Sequence, residues 1–350
     1  MARLDERLRA SPIRQGWIAR THYADACASL WLEGELVHVE DLVLHDAHMD
    51  VRTPTHELTR AHAVLRARRR IAAAEPGWAL TSAGLDGLRG RRPAREPSEG
   101  EGRGVDPDAD GAEDPSLPDA DNEAMDARDG WAAEMAAIDE LVARTDRTLA
   151  GDRAARRPPR DPLVYDLDWD EDERLATWHR RVDKVAGLPP VLAAALALDA
   201  WEDIAPLQHT PWLCHLLAAD LLRERGKTRA HLACLALGLR AVPRERRRAA
   251  GRTVKLLVQI EAIAAAADMG LKDHDRWLLA RQLLERKLAG RRSNSKLPAL
   301  IDLVLATPLA SAGMIAEGLG VSPRAAQDLV AELGLREATG RERYRAWGIL

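Results

Sequence analysis

The sequence restricts the local fold most strongly in the segment from Ser311 to Leu333. A small residue, Ala316, is followed four positions later by Gly320 and then by the apolar Val321. A helix-turn-helix needs a small residue where its two helices touch, a turn residue that tolerates positive φ, and an apolar residue just after the turn. The register of these three residues therefore predicts a helix-turn-helix.

The second helix of the predicted motif has a start signal and two distinct faces. Ser322 fits the N-cap and Pro323 the first helical position. The apolar stripe expected to face the core comprises Ala326, Leu329, Val330 and Leu333. The outward face carries Arg324, Ala325, Gln327, Asp328 and Ala331. Because Arg and Gln suit guanine and adenine edges, we expect Ser322 and the outward residues 324, 325, 327 and 328 to contact double-stranded DNA.

The residues after Gly334 predict a short hairpin, or wing, that turns at Gly340 between strands Leu335–Thr339 and Arg343–Trp347. Arg341 and Arg343 would then lie near phosphates. Acidic residues nearly balance the arginines of this region, so we expect modest phosphate attraction. Two denser basic stretches, 240–255 and 286–296, are either extensions of a DNA footprint or solvated faces. A plain helical hairpin packed inside the protein is the alternative to the DNA-binding interpretation.

Composition favours helix in the rest of the chain. Ala, Leu and Arg dominate, Phe is absent, and Val and Ile are sparse. Helices are predicted at 191–205, 212–225, 230–241, 253–269 and 277–288, with Pro189 and Pro190 where the first of them begins. We therefore expect an all-α protein with a C-terminal winged helix-turn-helix.

Changes in composition divide the chain into parts. We predict a disordered linker at residues 89–129, because the acidic stretch 105–126 has almost no apolar side chains to bury. The helical body comprises residues 1–88 and 130–300, with a minor break at 151–162 and an amphipathic helix at Trp131–Leu149. Residues 301–350 form the predicted helix-turn-helix domain.

Several classes of protein are disfavoured. The three cysteines are too few for a disulfide scaffold, and the first residues lack an apolar signal stretch. The apolar run Leu188–Leu198 is too short to span a bilayer. We therefore expect a cytoplasmic protein without a membrane segment. The sequence has neither a phosphate-loop motif nor a serine-hydrolase motif, so we expect no cofactor and no enzyme of these classes.

Two groups of residues have metal-ligand character. His45, His48 and His56 form one, with His45 and His48 spaced to meet on a helix. The other pairs Cys214-His215 with His231 and Cys234 on two predicted neighbouring helices. Surface or capping positions for the first group and core positions for the second are the simpler interpretation, so we expect no metal site.

Two motifs carry a resemblance to known families. Ser29-Leu-Trp-Leu-Glu33-Gly34 matches the inhibitory pattern of Fic proteins: Ser or Thr, three residues, Glu, then Gly or Asn. In the segment Leu221–Leu232, Gly226 and Arg229 match the Fic catalytic loop His-Pro-Phe-x-Asp/Glu-Gly-Asn-Gly/Lys-Arg, with its further Arg three residues on. The chain is thus distantly similar to Fic proteins. As a whole it also resembles an uncharacterised bacterial family that joins an all-helical domain of unknown function to a C-terminal helix-turn-helix.

The Fic resemblance implies a degenerate catalytic loop. Leu221 replaces the catalytic His, Arg225 the acidic residue, Lys227 the Asn and Leu232 the final Arg. Leucine cannot act as the base that activates a hydroxyl, so the resemblance implies a Fic-like body without catalytic residues. Ser29, Glu33, Gly34, Gly226 and Arg229 would be vestigial.

These observations predict a DNA-binding transcriptional regulator. Readers of this type commonly match paired half-sites, so we expect a homodimer, with any small-molecule inducer undefined. The alternatives are a divergent Fic-type nucleotide transferase and a catalytically dead, Fic-like interaction protein whose acidic loop binds a partner.

Overall fold

A computed structural model describes residues 1–50, 53–89, 166, 168–288, 295–339 and 345–349. One compact unit comprises Met1–Pro93 and Glu171–Leu350, and a second comprises Ala94–Asp170. Of the second unit, only residues 166 and 168–170 are described. The predicted linker beyond Arg89, the predicted helix Trp131–Leu149 and the predicted break at 151–162 lie outside the described residues.

The larger unit is mostly helical, which confirms the predicted all-α class. Its first part contains α1 (Ala2–Arg9), α2 (Arg14–Leu32), α3 (Val39–Asp46), α4 (His56–Ala73), a 3-10 turn (Trp78–Leu80) and α5 (Ser82–Leu88). From residue 171 onward it contains α6 (Glu171–Lys184), α7 (Pro190–Ile204), α8 (Leu213–Glu224), α9 (Leu235–Ala241), α10 (Arg244–Arg247) and α11 (Arg252–Arg286). The C-terminal elements are α12 (Leu297–Ala306), β1 (Ala310–Ser311), α13 (Ala312–Leu319), α14 (Pro323–Leu333), β2 (Arg336–Glu337) and β3 (Ala346–Gly348).

The main core lies where α2, α4, α7, α8 and α9 meet. Trp178 and Trp201 are buried there, with ring centroids 5.2 Å apart in an edge-to-face contact. The Trp178 indole donates its N–H to the Ala197 carbonyl at 3.0 Å, so its polar atom is satisfied. A buried ion pair, Arg68 with Asp25, joins α4 to α2 inside the same core. No described helix has both the length and the apolar character needed to cross a membrane.

Three local predictions were wrong. The helix predicted at 230–241 begins only at Leu235, since the residue before it, Cys234, has a non-helical ψ of 70°. The helices predicted at 253–269 and 277–288 form one continuous helix, α11, since no helix-breaking residue separates them. His48 lies beyond the end of α3 with a φ of 54°, so it does not share a helix face with His45.

Asp5 holds the chain that precedes α9. Its Oδ1 accepts the backbone N–H groups of Arg229 at 2.8 Å and Ala230 at 2.7 Å, and lies 3.2 Å from Nδ1 of His231. Burial opposes ionisation of this carboxyl group, but the bonds from His231, Ala230 and Arg229 outweigh it and lower the pKa of Asp5 to about 2. One carboxylate of α1 therefore holds the segment that enters α9.

We expect Asp5→Asn to lower the free energy of unfolding near neutral pH by about 1–2 kcal/mol, because an amide oxygen accepts these bonds less strongly than a carboxylate. The carboxylate contribution is present above its unfolded pKa of about 4 and is lost as the pH falls toward the folded value of about 2. Urea unfolding across this acid range measures both effects. Glu6→Gln, an exposed change on the same helix, is the control; equal stability of Asp5→Asn and wild type at neutral pH would contradict the assignment.

Candidate nucleic-acid interface

The C-terminal elements form a three-helix unit with a small sheet. Helices α12, α13 and α14 are followed by β2 and β3, and β3 lies between β1 and β2 in an antiparallel sheet. Ala310 pairs with Trp347, and Arg336 pairs with Gly348. This order of helices and strands is that of a winged helix-turn-helix.

Local signals fix the turn between α13 and α14. Gly320 ends α13 with a φ of 62°, and the Val321 N–H returns to the Ala316 carbonyl at 2.9 Å. No heavy atom lies within 4 Å of the position that a Cβ on Gly320 would take, so backbone conformation rather than space favours glycine there. Ser322 then caps α14, accepting the Ala325 N–H at 3.2 Å.

The two helices meet through small and aliphatic side chains. Ala316 and Leu319 on α13 and Ala326, Val330 and Leu333 on α14 are buried in one cluster. Val321 and Leu329 are partly buried beside it. These side chains occupy the interior that the apolar spacing predicted.

The opposite face of α14 is open. Arg324, Gln327, Asp328 and Ala331 are exposed, whereas Ala325 is half-buried and Ser322, though exposed, serves as the cap. Within the described part of the chain, no carboxylate lies at ion-pair distance from Arg324. This side chain is therefore free to meet an external group. The outward face is not packed into the protein, so the alternative of a buried helical hairpin does not describe this motif.

The C-terminal end of α14 is held from the body. Lys287, at the end of α11, donates from Nζ to the Leu333 carbonyl at 2.7 Å. Gly334 closes the helix with a φ of 63°. A lysine at this end also complements the helix dipole. Lys287 belongs to the basic stretch 286–296 considered as a DNA contact, but it serves here as a helix cap.

The wing is described only at its base. The strands are β2 and β3, so the second strand begins later and ends later than the predicted Arg343–Trp347. Arg341 and Arg343, predicted to approach phosphates, lie outside the described residues, as do Gly340 and the tip. Sequence analysis missed β1, a strand too short to show alternation.

Arg20 of α2 fastens this unit to the helical body. Its Nε donates to the Leu305 carbonyl at 2.9 Å, and its Nη2 donates to the carbonyls of Val304 at 2.9 Å and Thr307 at 3.2 Å. The guanidinium carbon also lies 5.3 Å from the centroid of the Trp277 ring. Burial, followed by repulsion from Arg276, lowers the pKa of Arg20 to about 10, so the group stays charged near neutral pH.

Close contact between α2 and α12 accompanies this bond. A Cβ on Gly16 would come within 3.0 Å of the backbone of Leu305, so glycine permits the two helices to approach. Ser311, at the start of α13, donates its hydroxyl to Sδ of Met49 at 3.1 Å. The position of α14 is therefore set by contacts with the body as well as by its own turn.

The residues that carried the Fic resemblance fall in two places. Glu33 forms an ion pair with Arg60 of α4, and Ser29, Glu33 and Gly34 line a cavity in the body. Gly226, with a φ of 63°, and Arg229 lie outside that lining. Leu221, at the position of the catalytic His, is buried in the main core.

The groups considered as metal ligands have other partners. His45 bonds Asp50 at 2.8 Å, and Nδ1 of His231 lies 3.2 Å from Oδ1 of Asp5. Cys214 and Cys234 are buried, and burial raises the pKa of both thiols. Within the described ranges, no three His, Cys, Asp or Glu side chains converge in a way that could hold a metal ion.

Comparison with known proteins agrees with the C-terminal assignment. Residues 297–350, from the start of α12, match an HTH DNA binding domain, and residues 163–289 match a family described as a protein of unknown function (DUF1612). The uncharacterized protein y4cF of Sinorhizobium fredii is 49% identical over 99% of this chain and 93% of its own length. The predicted helix-turn-helix and the resemblance to a family with a helical domain of unknown function are confirmed. The Fic resemblance stays a prediction.

We expect Gly320→Ala to lower the free energy of unfolding by about 1–2 kcal/mol, because an alanine Cβ strains the left-handed conformation in the turn. Gly187→Ala is the matched control, since that glycine has open space around its Cβ position and no positive φ. Chemical unfolding of both variants measures the difference. Equal stabilities would contradict the role given to the turn glycine.

Proposed function

We propose that this chain, which belongs to the same family as the Sinorhizobium fredii protein y4cF, is a transcriptional regulator that reads double-stranded DNA with α14. The proposal goes beyond the DNA-binding domain itself in assigning sequence-specific readout and a regulatory role. We also propose that the protein acts in the cytoplasm, where the chromosomal DNA of a bacterium lies.

The open face of α14 carries the proposal. Arg324 and Gln327 are exposed one turn apart, on a helix whose N-terminus is capped by Ser322 and whose C-terminus is bonded to Lys287. An arginine can form two bonds to guanine and a glutamine two bonds to adenine. A helix fixed at both ends presents these groups without ordering itself on binding, which favours readout over loose association.

Charge is a secondary contribution in this proposal. Arg324 and Arg336 are exposed, and neither has a carboxylate at ion-pair distance among the residues that the structure describes. Asp328 is also exposed on α14 and repels phosphates. The affinity should therefore depend less steeply on salt than that of a strongly basic DNA-binding domain.

The proposal includes a homodimer, because helix-turn-helix proteins commonly place two recognition helices in successive major grooves. Sedimentation equilibrium of the full chain should give twice the monomer mass. Bound DNA should contain two inverted half-sites about one helical turn, roughly 34–36 Å, apart. A monomer that protects a single half-site would remove this part of the proposal.

No catalytic activity is proposed. The side chain of Leu221, at the position of the Fic base, is buried and cannot accept a proton. Incubation of the chain with labelled ATP and a bacterial lysate should label no protein above the background seen without the chain. Label transfer that depends on the chain would support the divergent transferase instead.

We expect Arg324→Ala and Gln327→Ala each to weaken binding to a specific duplex about tenfold or more, because each removes a contact to a base edge. The duplex is found by selecting bound sequences from a random pool with the purified full chain. Fluorescence anisotropy at one fixed salt concentration then measures affinity for the selected sequence and for a scrambled one. The variants should change binding to the scrambled duplex much less.

Arg180→Ala and Gln282→Ala serve as matched controls, since both side chains are exposed on helices outside the winged helix. They should bind the selected duplex as the wild type does. If the pool yields no preferred sequence, or if Arg324→Ala and Gln327→Ala bind as tightly as these controls, α14 is not a reading helix and the proposal fails.

A further inference from the structure

A cavity of about 840 Å³ opens in the helical body, away from the exposed face of α14. It lies between the C-terminal end of α2 with the loop that follows it, the end of α7, the start of α8, and α10. The volume falls in the range of sites that bury small organic ligands, roughly 300–1,000 Å³. Nothing in the proposed DNA-binding role uses this space.

One side of the cavity is apolar and aromatic. Trp201, Trp212 and Leu207 are buried in its wall, and Trp31 is half-buried. Leu36 also lines the cavity and leaves 67% of its surface exposed, which adds apolar surface to this side. The Trp31 ring is stacked with the guanidinium groups of Arg247 and Arg240, so the other apolar side chains supply the surface that a ligand ring could contact.

The facing side is cationic. Arg244, Arg247 and Arg248 belong to α10 and the residue after it, and all three line the cavity. In the described part of the protein, none of them has a carboxylate at ion-pair distance. Nε of Arg247 donates to the Val242 carbonyl at 3.0 Å, and its guanidinium carbon lies 4.8 Å from the centroid of the Trp31 ring. Arg247 is thus held beside an indole, and Arg244 and Arg248 are exposed next to it on the same short helix and its C-cap.

The acidic residues of the lining have other partners. Glu33 and Glu35 both form ion pairs with Arg60, which lies outside the lining. Glu202 contacts Nζ of Lys255 at 3.6 Å and accepts from Gln259 at 3.3 Å. Glu33 and Glu35 share one guanidinium, and one buried oxygen of each carboxylate has no hydrogen-bond partner. Among the described residues of the lining, three arginines therefore stand against one unmatched carboxylate, and the net charge is positive. Burial lowers the pKa of Arg247, and its neighbours Arg244 and Arg248 lower it further.

Two more features of the wall fit a binding site. Ala205 adopts a φ of 45°, a conformation that costs energy for a residue with a side chain and that often accompanies a functional constraint. Burial lowers the pKa of His215 to about 4, so its ring is neutral near pH 7 and offers a hydrogen bond without adding charge.

We propose that this cavity binds a small aromatic anion, with its carboxylate or phosphate held by Arg244, Arg247 and Arg248 and its ring against the apolar wall formed by Leu36, Leu207 and Trp212. The bound anion acts as the effector of the regulator, a role that rests on the proposed function. Arginine pairs well with either head group, and the ring matches the apolar wall.

Helix α2 connects the cavity to the DNA-binding unit. Its C-terminal residues Ser29, Trp31 and Leu32 line the cavity. Its N-terminal half carries Gly16 and Arg20, which contact α12. A ligand that favours one position of α2 therefore favours one position of the winged helix. Such a ligand changes DNA affinity only by its difference in affinity for the two positions.

Isothermal titration of the full chain, without DNA, tests the site. The probes are 2-naphthoate, 2-naphthyl phosphate, the uncharged 2-naphthamide and inorganic phosphate. We expect one molecule of at least one aromatic anion to bind per chain, at least tenfold more tightly than naphthamide and inorganic phosphate. Comparing naphthoate with naphthyl phosphate identifies the preferred head group. The proposal is overturned if neither anion binds, or if naphthamide or inorganic phosphate binds as tightly as the aromatic anions.

A pair of double variants tests the assignment of the arginines. The double variant Arg244→Gln with Arg248→Gln should bind the anion at least tenfold more weakly than the wild type. Arg9→Gln with Arg180→Gln removes the same charge from exposed positions outside the cavity and should bind as the wild type does. Equal affinity in both double variants places the anion elsewhere and overturns the proposal.

Anisotropy with the selected duplex tests the effector role. The bound anion should change the affinity for that duplex about fivefold or more, in a typical range for coupled sites. Anion binding without any change in DNA affinity overturns the effector role. Because the titration contains no DNA, absence of specific DNA binding would refute the regulator while the anion site is still judged on its own.

Discussion

The position of the DNA-binding unit depends on one buried cation. Arg20 bonds three carbonyls at the C-terminal end of α12, where a helix leaves acceptors without intrahelical partners and carries partial negative charge. Trp277 covers the guanidinium from the side. Removing this side chain would leave those carbonyls buried without donors, which costs more than the bonds themselves contribute. The same contact makes α2 and α12 one packed pair, so the body determines where α14 points.

The turn of the helix-turn-helix was predictable because each of its requirements is local. Gly320 supplies the positive φ, Ser322 the cap and Ala316 the close contact, and all three act within a few residues of one another. The outward face followed from the same periodicity. The strand β1 and the cap from Lys287 were not predictable, since both depend on partners far along the chain.

The partners of the arginines in the helical body could not be predicted from the sequence. Its many arginines look alike in the sequence, yet Arg68 is buried in an ion pair, Arg247 stacks on Trp31 and Arg246 pairs with Glu261 at the surface. Composition predicted helices but not these assignments, because each depends on which acid or ring the fold brings near. Asp5 and Asp25 likewise gave no signal, although Asp5 holds the segment before α9 and Asp25 accepts the Leu237 N–H in its first turn.

Helix α11 is one long, continuous helix that reaches from the cavity to the winged helix. It contains 35 residues, which makes it about 52 Å long. Its first turns pack beside α10 near the cavity, while Arg281 and Lys287 at its far end bond Asp302 and the Leu333 carbonyl of the winged helix. A tilt of about 4° about one end moves the other by roughly 3.6 Å, close to the rise of about 3.4 Å per base step. A rotation of a few degrees in this helix is thus enough to move a recognition helix by one step along a duplex.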